Sequence, residues 1–220
     1  MALRTPQALL VDFNGTLSDD ESVLFEVYAE MASARGMSLT RERYVDELAG
    51  RSDLEIFDDV FSASESIEVL LVERISRYAH AAGAGSTVPH EARQALRLAA
   101  ELVPVAVVTS AFRVEVEPVL AGAGLADFVS VLVCADDVST LKPDPECYRR
   151  ACSLLGVAPS ASVAIEDSEA GVAAAKTAGL QCAAITTTMP AARLRHADLL
   201  LDRFDVPALE RIFGPLARVA

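Results

Sequence analysis

Two hydrophobic textures divide this chain. Residues 8–13 form a short, continuous apolar run that ends in a Gly turn, the pattern of a buried strand. From about Asp20 to Gly83 the apolar positions recur at three- and four-residue spacing, as in Leu24, Tyr28 and Met31 and again in Val69, Val72 and Ile75. That period predicts amphipathic helices and no strand. Residues 84–90 (AGSTVPH) are a Gly/Ser/Pro connection. Beyond it helices predicted over 91–102, 114–123, 145–155, 170–178 and 206–213 alternate with strands over 105–109, 129–134, 163–165, 182–186 and 199–201. Strands separated by helices imply right-handed crossovers and a parallel sheet covered on both faces. Continuous apolar runs are what such doubly covered strands require. The expected fold is therefore α/β. A Rossmann-like, doubly wound core spans residues 1–18 and 85–220, and an α-helical cap spans 19–84.

Composition narrows the partners. Nineteen Lys plus Arg against 32 Asp plus Glu give a formal charge of −13 over 220 residues. Such a chain repels nucleic-acid phosphates and anionic membrane surfaces, so neither is an expected partner. No apolar run approaches the ~20 residues of a membrane helix. The N-terminal stretch reads as a strand leading into Asp12, not as a signal peptide. Cys134, Cys147, Cys152 and Cys182 form no CxxC pair and lie in apolar surroundings. They are expected as buried, reduced thiols of a cytoplasmic protein. Three separated histidines offer no zinc pattern. The positive charge is lopsided, since Lys142 and Lys176 are the two lysines among 19 cationic residues.

In open α/β sheets, ligands bind at the carboxyl ends of the strands. Here those ends carry Asp12, Asn14, Gly15 and Thr16 after the first strand and Thr109 and Ser110 after the second. Lys142 before Pro143 follows the third, and Glu166 and Asp167 follow the fourth. Each has a local reading: a tight turn at Asn14-Gly15, a helix cap at Thr109-Ser110, prolines opening a helix, and a second cap at Asp167-Ser168. Together they bring carboxylates, hydroxyls and one of two lysines to one sheet edge. A carboxylate can take a phosphoryl group as a covalent nucleophile. Mg²⁺ is suited by Asp12 and Asp167 with water and substrate phosphate completing its oxygen ligands. A lysine and a hydroxyl hold phosphoryl oxygens during transfer, and amides of the Gly15-Thr16 turn add donors.

The segments DFNGT, Thr109, LKPDP and IEDSEAG, in that order, resemble the four motifs of the haloacid dehalogenase-like superfamily of hydrolases. The helical insertion lies where that family carries its cap, and the resemblance spans nearly the whole chain. LKPDP and IEDSEAG are similar to the branch containing β-phosphoglucomutase, phosphoglycolate phosphatase and small sugar-phosphate phosphatases. The resemblance implies that Asp12 is the nucleophile and a Mg²⁺ ligand, and that position 14 lends the metal its backbone carbonyl. It implies that Thr109, with Ser110 beside it, holds the phosphoryl group, and that Lys142 pairs with phosphate and nucleophile. Asp167 then binds Mg²⁺ with Glu166 in support. The loop Gly50-Arg51-Ser52-Asp53 matches the family's specificity loop, where Arg51 either meets a second anionic group or is a surface residue.

Asn14 departs from the pattern. The family's phosphatases and mutases carry Asp there, which protonates the leaving oxygen and then activates water, and an amide does neither. A positioned acid or base is worth ~10²–10⁴-fold in rate. The expected activity is thus a Mg²⁺-dependent phosphohydrolase of small phosphorylated metabolites, slowed by Asn14. The alternatives are a sugar-phosphate mutase, a catalytically weak phosphometabolite-binding protein, and a metal-independent haloacid dehalogenase. The mutase needs acid-base work at position 14, and the dehalogenase has no use for the paired Glu166 and Asp167. Phosphonatase chemistry needs a cap lysine, and no lysine precedes Lys142.

Overall fold

A computed structural model describes residues 3–49, 51–61 and 65–216. The core is a six-stranded sheet in the order β3-β2-β1-β4-β5-β6, every neighbouring pair parallel. Its strands are β1 (Ala8–Val11), β2 (Val105–Val108), β3 (Val131–Val133), β4 (Ser162–Glu166), β5 (Gln181–Ile185) and β6 (Leu199–Leu201). Side chains alternate across the sheet. Leu9, Val11, Val105 and Val107 join one buried cluster, while Leu10, Ala106 and Val108 join the other. Helices α5 (His90–Leu102), α6 (Arg113–Gly122) and α9 (Val206–Phe213) cover the first face through residues such as Leu96, Val116 and Leu209. Helices α7 (Glu146–Leu155) and α8 (Glu169–Ala178) cover the second through Tyr148 and Val172.

The predicted strands and core helices are all present, with no end displaced by more than two residues. The second strand stops at Val108 because Thr109 turns away after its N–H bonds to the Val133 carbonyl at 2.9 Å. Local signals open two of the helices. Ser168 Oγ accepts from Gly171 N at 3.0 Å to start α8, and Asp205 Oδ1 accepts from Ala208 N at 2.9 Å to start α9.

Between β1 and β2 lie helices α1 (Glu21–Ala34), α2 (Arg41–Arg43), α3 (Asp53–Phe61) and α4 (Ile67–Ala82), and no strand occurs among the described residues there. A π-helical turn, Tyr44–Leu48, continues α2. Tyr28, Tyr44, Phe57 and Phe61 pack ring against ring inside this layer. Helix α4 touches α1 on one side and core helix α6 on the other. The two connecting segments are tied together. Ser18 Oγ donates to Thr87 Oγ1 at 2.8 Å, and Asp19 N donates to the Thr87 carbonyl at 2.8 Å. The four cysteines are free and buried. Among the described residues no helix is long and apolar enough to cross a membrane.

Candidate active site

The chain passes from β1 outward to β2 and β3, then returns to place β4 on the other side of β1. The ends of β1 and β4 are thus neighbours at the point where strand order reverses, where α/β sheets open a crevice. Val11 pairs with Ile165, and Asp12 N donates to the Ile165 carbonyl at 3.0 Å. This register sets Asp12 beside Glu166 and Asp167. One ligand oxygen from each of the three carboxylates lies within 4.8 Å of the others.

Lys142 reaches the same point from the loop between β3 and α7. Its Nζ donates to Asp12 Oδ1 at 2.5 Å, to Glu166 Oε1 at 2.7 Å and to the Val108 carbonyl at 2.9 Å. Burial works against its charge, but Asp12 and Glu166 more than offset this and hold its pKa above the usual lysine range. Glu166 is fully buried and committed within the chain. Tyr148 OH donates to Oε1 at 2.6 Å, while Ser168 Oγ donates to Oε2 at 3.2 Å. A Cβ at Gly171 would stand 1.9 Å from this carboxyl group, so the first turn of α8 closes over it because that position has no side chain. Gly15 has φ +72°, and a Cβ there would meet Asp167 Oδ2 at 2.2 Å. The turn after β1 therefore lies directly against the carboxylate after β4.

The electrostatics suit a cation. Burial pushes the Asp12 carboxyl well above its ordinary range, against the pull of Lys142 and with the repulsion of Glu166 and Asp167. Burial and the Glu166 carboxylate push Asp167 up to about 7. With all three carboxylates ionised, Lys142 leaves two negative charges uncompensated. An all-oxygen donor set with that charge fits a hard divalent ion.

Thr109 is buried beside this cluster. Its Oγ1 accepts from Ala111 N at 3.0 Å, leaving the hydroxyl proton free to donate. Ser110 is exposed at the mouth, and Thr16 is buried with Oγ1 lacking a partner. Asp12, Asn14, Gly15, Thr109, Ser110 and Lys142 all line a cavity of about 430 Å³, which Asp167 also borders. The opposite wall comes from the inserted helices and includes Arg51 and Ser52. Arg51 lines the cavity but its guanidinium is paired with Asp59. Gly50 lies outside the described residues.

Several residues here carry no sequence motif. Tyr148, in the first turn of α7, supports Glu166. Asn14 Nδ2 donates to Asp20 Oδ2 at 2.6 Å, and Tyr78 OH donates to the same oxygen. Arg74 is buried between Asp53 and Glu115 and bonds to both. Glu21 and Tyr44 line the cavity. A signal for Asp20 and Glu21 was available: two acids opening a helix just after the first motif.

The family model for haloacid dehalogenase-like hydrolases matches residues 9–185. A validoxylamine A 7'-phosphate phosphatase from Streptomyces hygroscopicus subsp. limoneus is 36% identical over 196 residues, which is 87% of this chain and 91% of that protein. A plasmid-encoded phosphoglycolate phosphatase from Cupriavidus necator is 31% identical, covering 79% of this chain and 78% of its own length. Among solved structures, a mutant of CbbY from Rhodobacter sphaeroides in complex with xylulose-(1,5)bisphosphate superposes with a TM-score of 0.79. It is 27% identical, and the match covers 91% of this chain and 95% of that one. The chain belongs to the haloacid dehalogenase-like hydrolases, in the phosphoglycolate phosphatase and β-phosphoglucomutase-like branch with helices inserted after the first strand.

Proposed function

We propose that this protein is a Mg²⁺-dependent phosphohydrolase of small phosphorylated metabolites that acts through a phospho-Asp12 intermediate. The observation that carries the reading is Lys142 Nζ bridging Asp12 Oδ1 and Glu166 Oε1 at the reversal point of the sheet. Asp12, Asp167 and the backbone carbonyl of Asn14 would hold the metal, with Glu166 supporting through Lys142. Bound Mg²⁺ would neutralise phosphoryl charge and the repulsion among the carboxylates.

Asp12 contributes a carboxylate oxygen that bonds to phosphorus as the ester P–O bond breaks and the leaving oxygen takes a proton. Lys142 and the Thr109 hydroxyl hold the equatorial phosphoryl oxygens in place, and Ser110 completes the cradle, while the Gly15 and Thr16 amides, expected from the sequence as donors, are committed to the Ser18 and Phe13 carbonyls at 2.8 and 3.3 Å. Water then attacks the acyl phosphate, releasing inorganic phosphate and restoring Asp12. The Asn14 amide supplies no proton to the leaving group, so the reaction depends on leaving-group quality or on water for that proton. This slows the step on alkyl phosphates. Resemblance to two phosphatases supports the reading.

A second reading, a weakly catalytic phosphometabolite-binding protein, is favoured by one observation: the Asn14 amide is engaged with Asp20. Phosphate release over a metabolite panel, with and without Mg²⁺, separates the two. The hydrolase reading expects Mg²⁺-dependent release from at least one phosphomonoester. Stabilisation by phosphometabolites without any release would establish the binder instead.

A further inference from the structure

The segment between β5 and β6 begins with three threonines, Thr186, Thr187 and Thr188, at the same sheet edge as the carboxylate cluster. Its place follows from register. Glu166 pairs with Ala184, and β5 runs one residue further to Ile185, so the chain leaves β5 beside Asp167. The base of the loop is fixed to β6, where Thr186 N donates to the Leu201 carbonyl at 3.0 Å. Beyond the threonines, Met189 lines the cavity and packs against the buried cluster on the second face of the sheet. The loop is therefore held at both ends of the threonine run.

Two hydroxyls on this loop reach the phosphate-handling edge. Thr187 Oγ1 donates to the Gly15 carbonyl at 3.2 Å, in the turn after β1. The Thr188 hydroxyl hydrogen-bonds the Asp167 carboxylate and favours its ionised form, against burial and the Glu166 charge. Gly15 shows how closely the three segments meet. A Cβ there would stand 2.2 Å from Asp167 Oδ2 and 2.8 Å from Thr188 Oγ1. Asp12 is held by Lys142, and Glu166 by Lys142, Tyr148 and Ser168. The matching support for Asp167 comes from Thr188. Thr188 is an exposed residue on the cavity wall, so exchanging its hydroxyl for a methyl group leaves the core packing intact.

We propose that Thr188 is a positioning residue for the cation site, its hydroxyl holding the Asp167 carboxylate in the orientation that binds Mg²⁺. Hydrogen-bond partners of metal-binding carboxylates fix their orientation and tune their affinity. A carboxylate already held in place also loses less freedom when a cation binds. Without the hydroxyl, repulsion between Asp12 and Asp167 favours turning the carboxylate away from the cluster. The effect falls on metal affinity, because the hydroxyl acts on Asp167 and not on the nucleophile. This role rests on the phosphohydrolase reading for its cation but not for turnover.

The test titrates MgCl₂ alone, without substrate, into wild type, Thr188→Val and Thr188→Ser, and reads Kd by calorimetry. Thr188→Val keeps the shape of the side chain and removes the hydroxyl, and Thr188→Ser keeps the hydroxyl. Thr188→Val is expected to weaken Mg²⁺ binding by ~10–100-fold, with Thr188→Ser close to wild type. Thermal unfolding in chelator is expected to be alike for all three, which separates a change at the cation site from a change in folding. With p-nitrophenyl phosphate, the Mg²⁺ concentration giving half-maximal release should rise in Thr188→Val by the same factor as Kd. An equal Kd for Thr188→Val and wild type overturns the role, as does binding by Thr188→Ser as weak as by Thr188→Val, or a wild type that binds no Mg²⁺. Hydrolysis by all three proteins with one Mg²⁺ dependence leaves the phosphohydrolase reading standing and removes this one. No hydrolysis by any of them, with Mg²⁺ binding weakened in Thr188→Val alone, does the reverse.

Discussion

Asn14 Nδ2 donates to Asp20 Oδ2 at 2.6 Å, and Tyr78 OH donates to the same carboxylate oxygen. Asp20 is 1% exposed, and burial raises its pKa to about 6 against the hydrogen bonds from Tyr78 and Asn14. The amide at position 14 is therefore held by a carboxylate in the segment joining β1 to α1, six residues along the chain.

This contact refines what Asn14→Asp should do. The single substitution sets two carboxyl groups against each other in a buried place and removes the donor that Asp20 uses. The double variant Asn14→Asp with Asp20→Asn lets amide and carboxylate exchange places, so the hydrogen bond reverses direction and survives. On an alkyl phosphate the double variant is expected to gain up to ~10²–10⁴-fold over wild type. The single variant is expected to gain less, and both less on p-nitrophenyl phosphate, whose leaving group needs little protonation. Steady-state phosphate release by all three proteins reads this, and equal gains on the two substrates would remove the acid-catalysis argument.

Asp12→Asn keeps the size of the side chain between Lys142 and the β4 carboxylates. It should fold normally, by circular dichroism and thermal unfolding, and release no phosphate. Measurable turnover in a clean preparation would refute Asp12 as the nucleophile.

Lys142 side-chain exposure is 6%, and that of its partner Glu166 is zero. Removing one member of a buried pair strands the other's charge, at a cost of about 3–5 kcal/mol. Lys142→Met, unfolded by urea in the presence of chelator, is expected to lose about that much and all activity. A midpoint equal to wild type would show that Asp12 and Glu166 do not need it for folding.

Mg²⁺ should stabilise the folded chain without any substrate, because it offsets repulsion among Asp12, Glu166 and Asp167. At 100-fold over its Kd the gain is about 2.7 kcal/mol. Differential scanning fluorimetry should show a rise in Tm with Mg²⁺ that Asp167→Asn abolishes. A Tm unchanged by Mg²⁺ in wild type would argue against a metal at these carboxylates.

Much of this protein is legible in its residues taken in order. The apolar run ending in Asp12, the strand-helix alternation after residue 90 and the acids at 166 and 167 need only local pattern. A parallel sheet must put all its strand ends on one edge. Two lysines in 220 residues also left Lys142 as the one set at a strand end, and it does bridge Asp12 and Glu166. Lys176 instead pairs with Asp198 at 2.6 Å.

Other facts had no local signature. Asn14 meets Tyr78 across 64 residues, Arg74 meets Glu115 across 41, and Tyr148 on α7 meets Glu166 at the end of β4. Arg51 reads in the sequence either as a partner for a second anionic group or as a surface residue, and in the fold its guanidinium pairs with Asp59. Periodicity reports which face of an element is buried, but not which distant polar group it will face there. The chain order of its residues therefore determined the sheet, the inserted helices and the phosphate-handling edge. Only tertiary packing decided how the wall opposite that edge is charged, because a guanidinium's availability depends on which carboxylates the fold brings within reach.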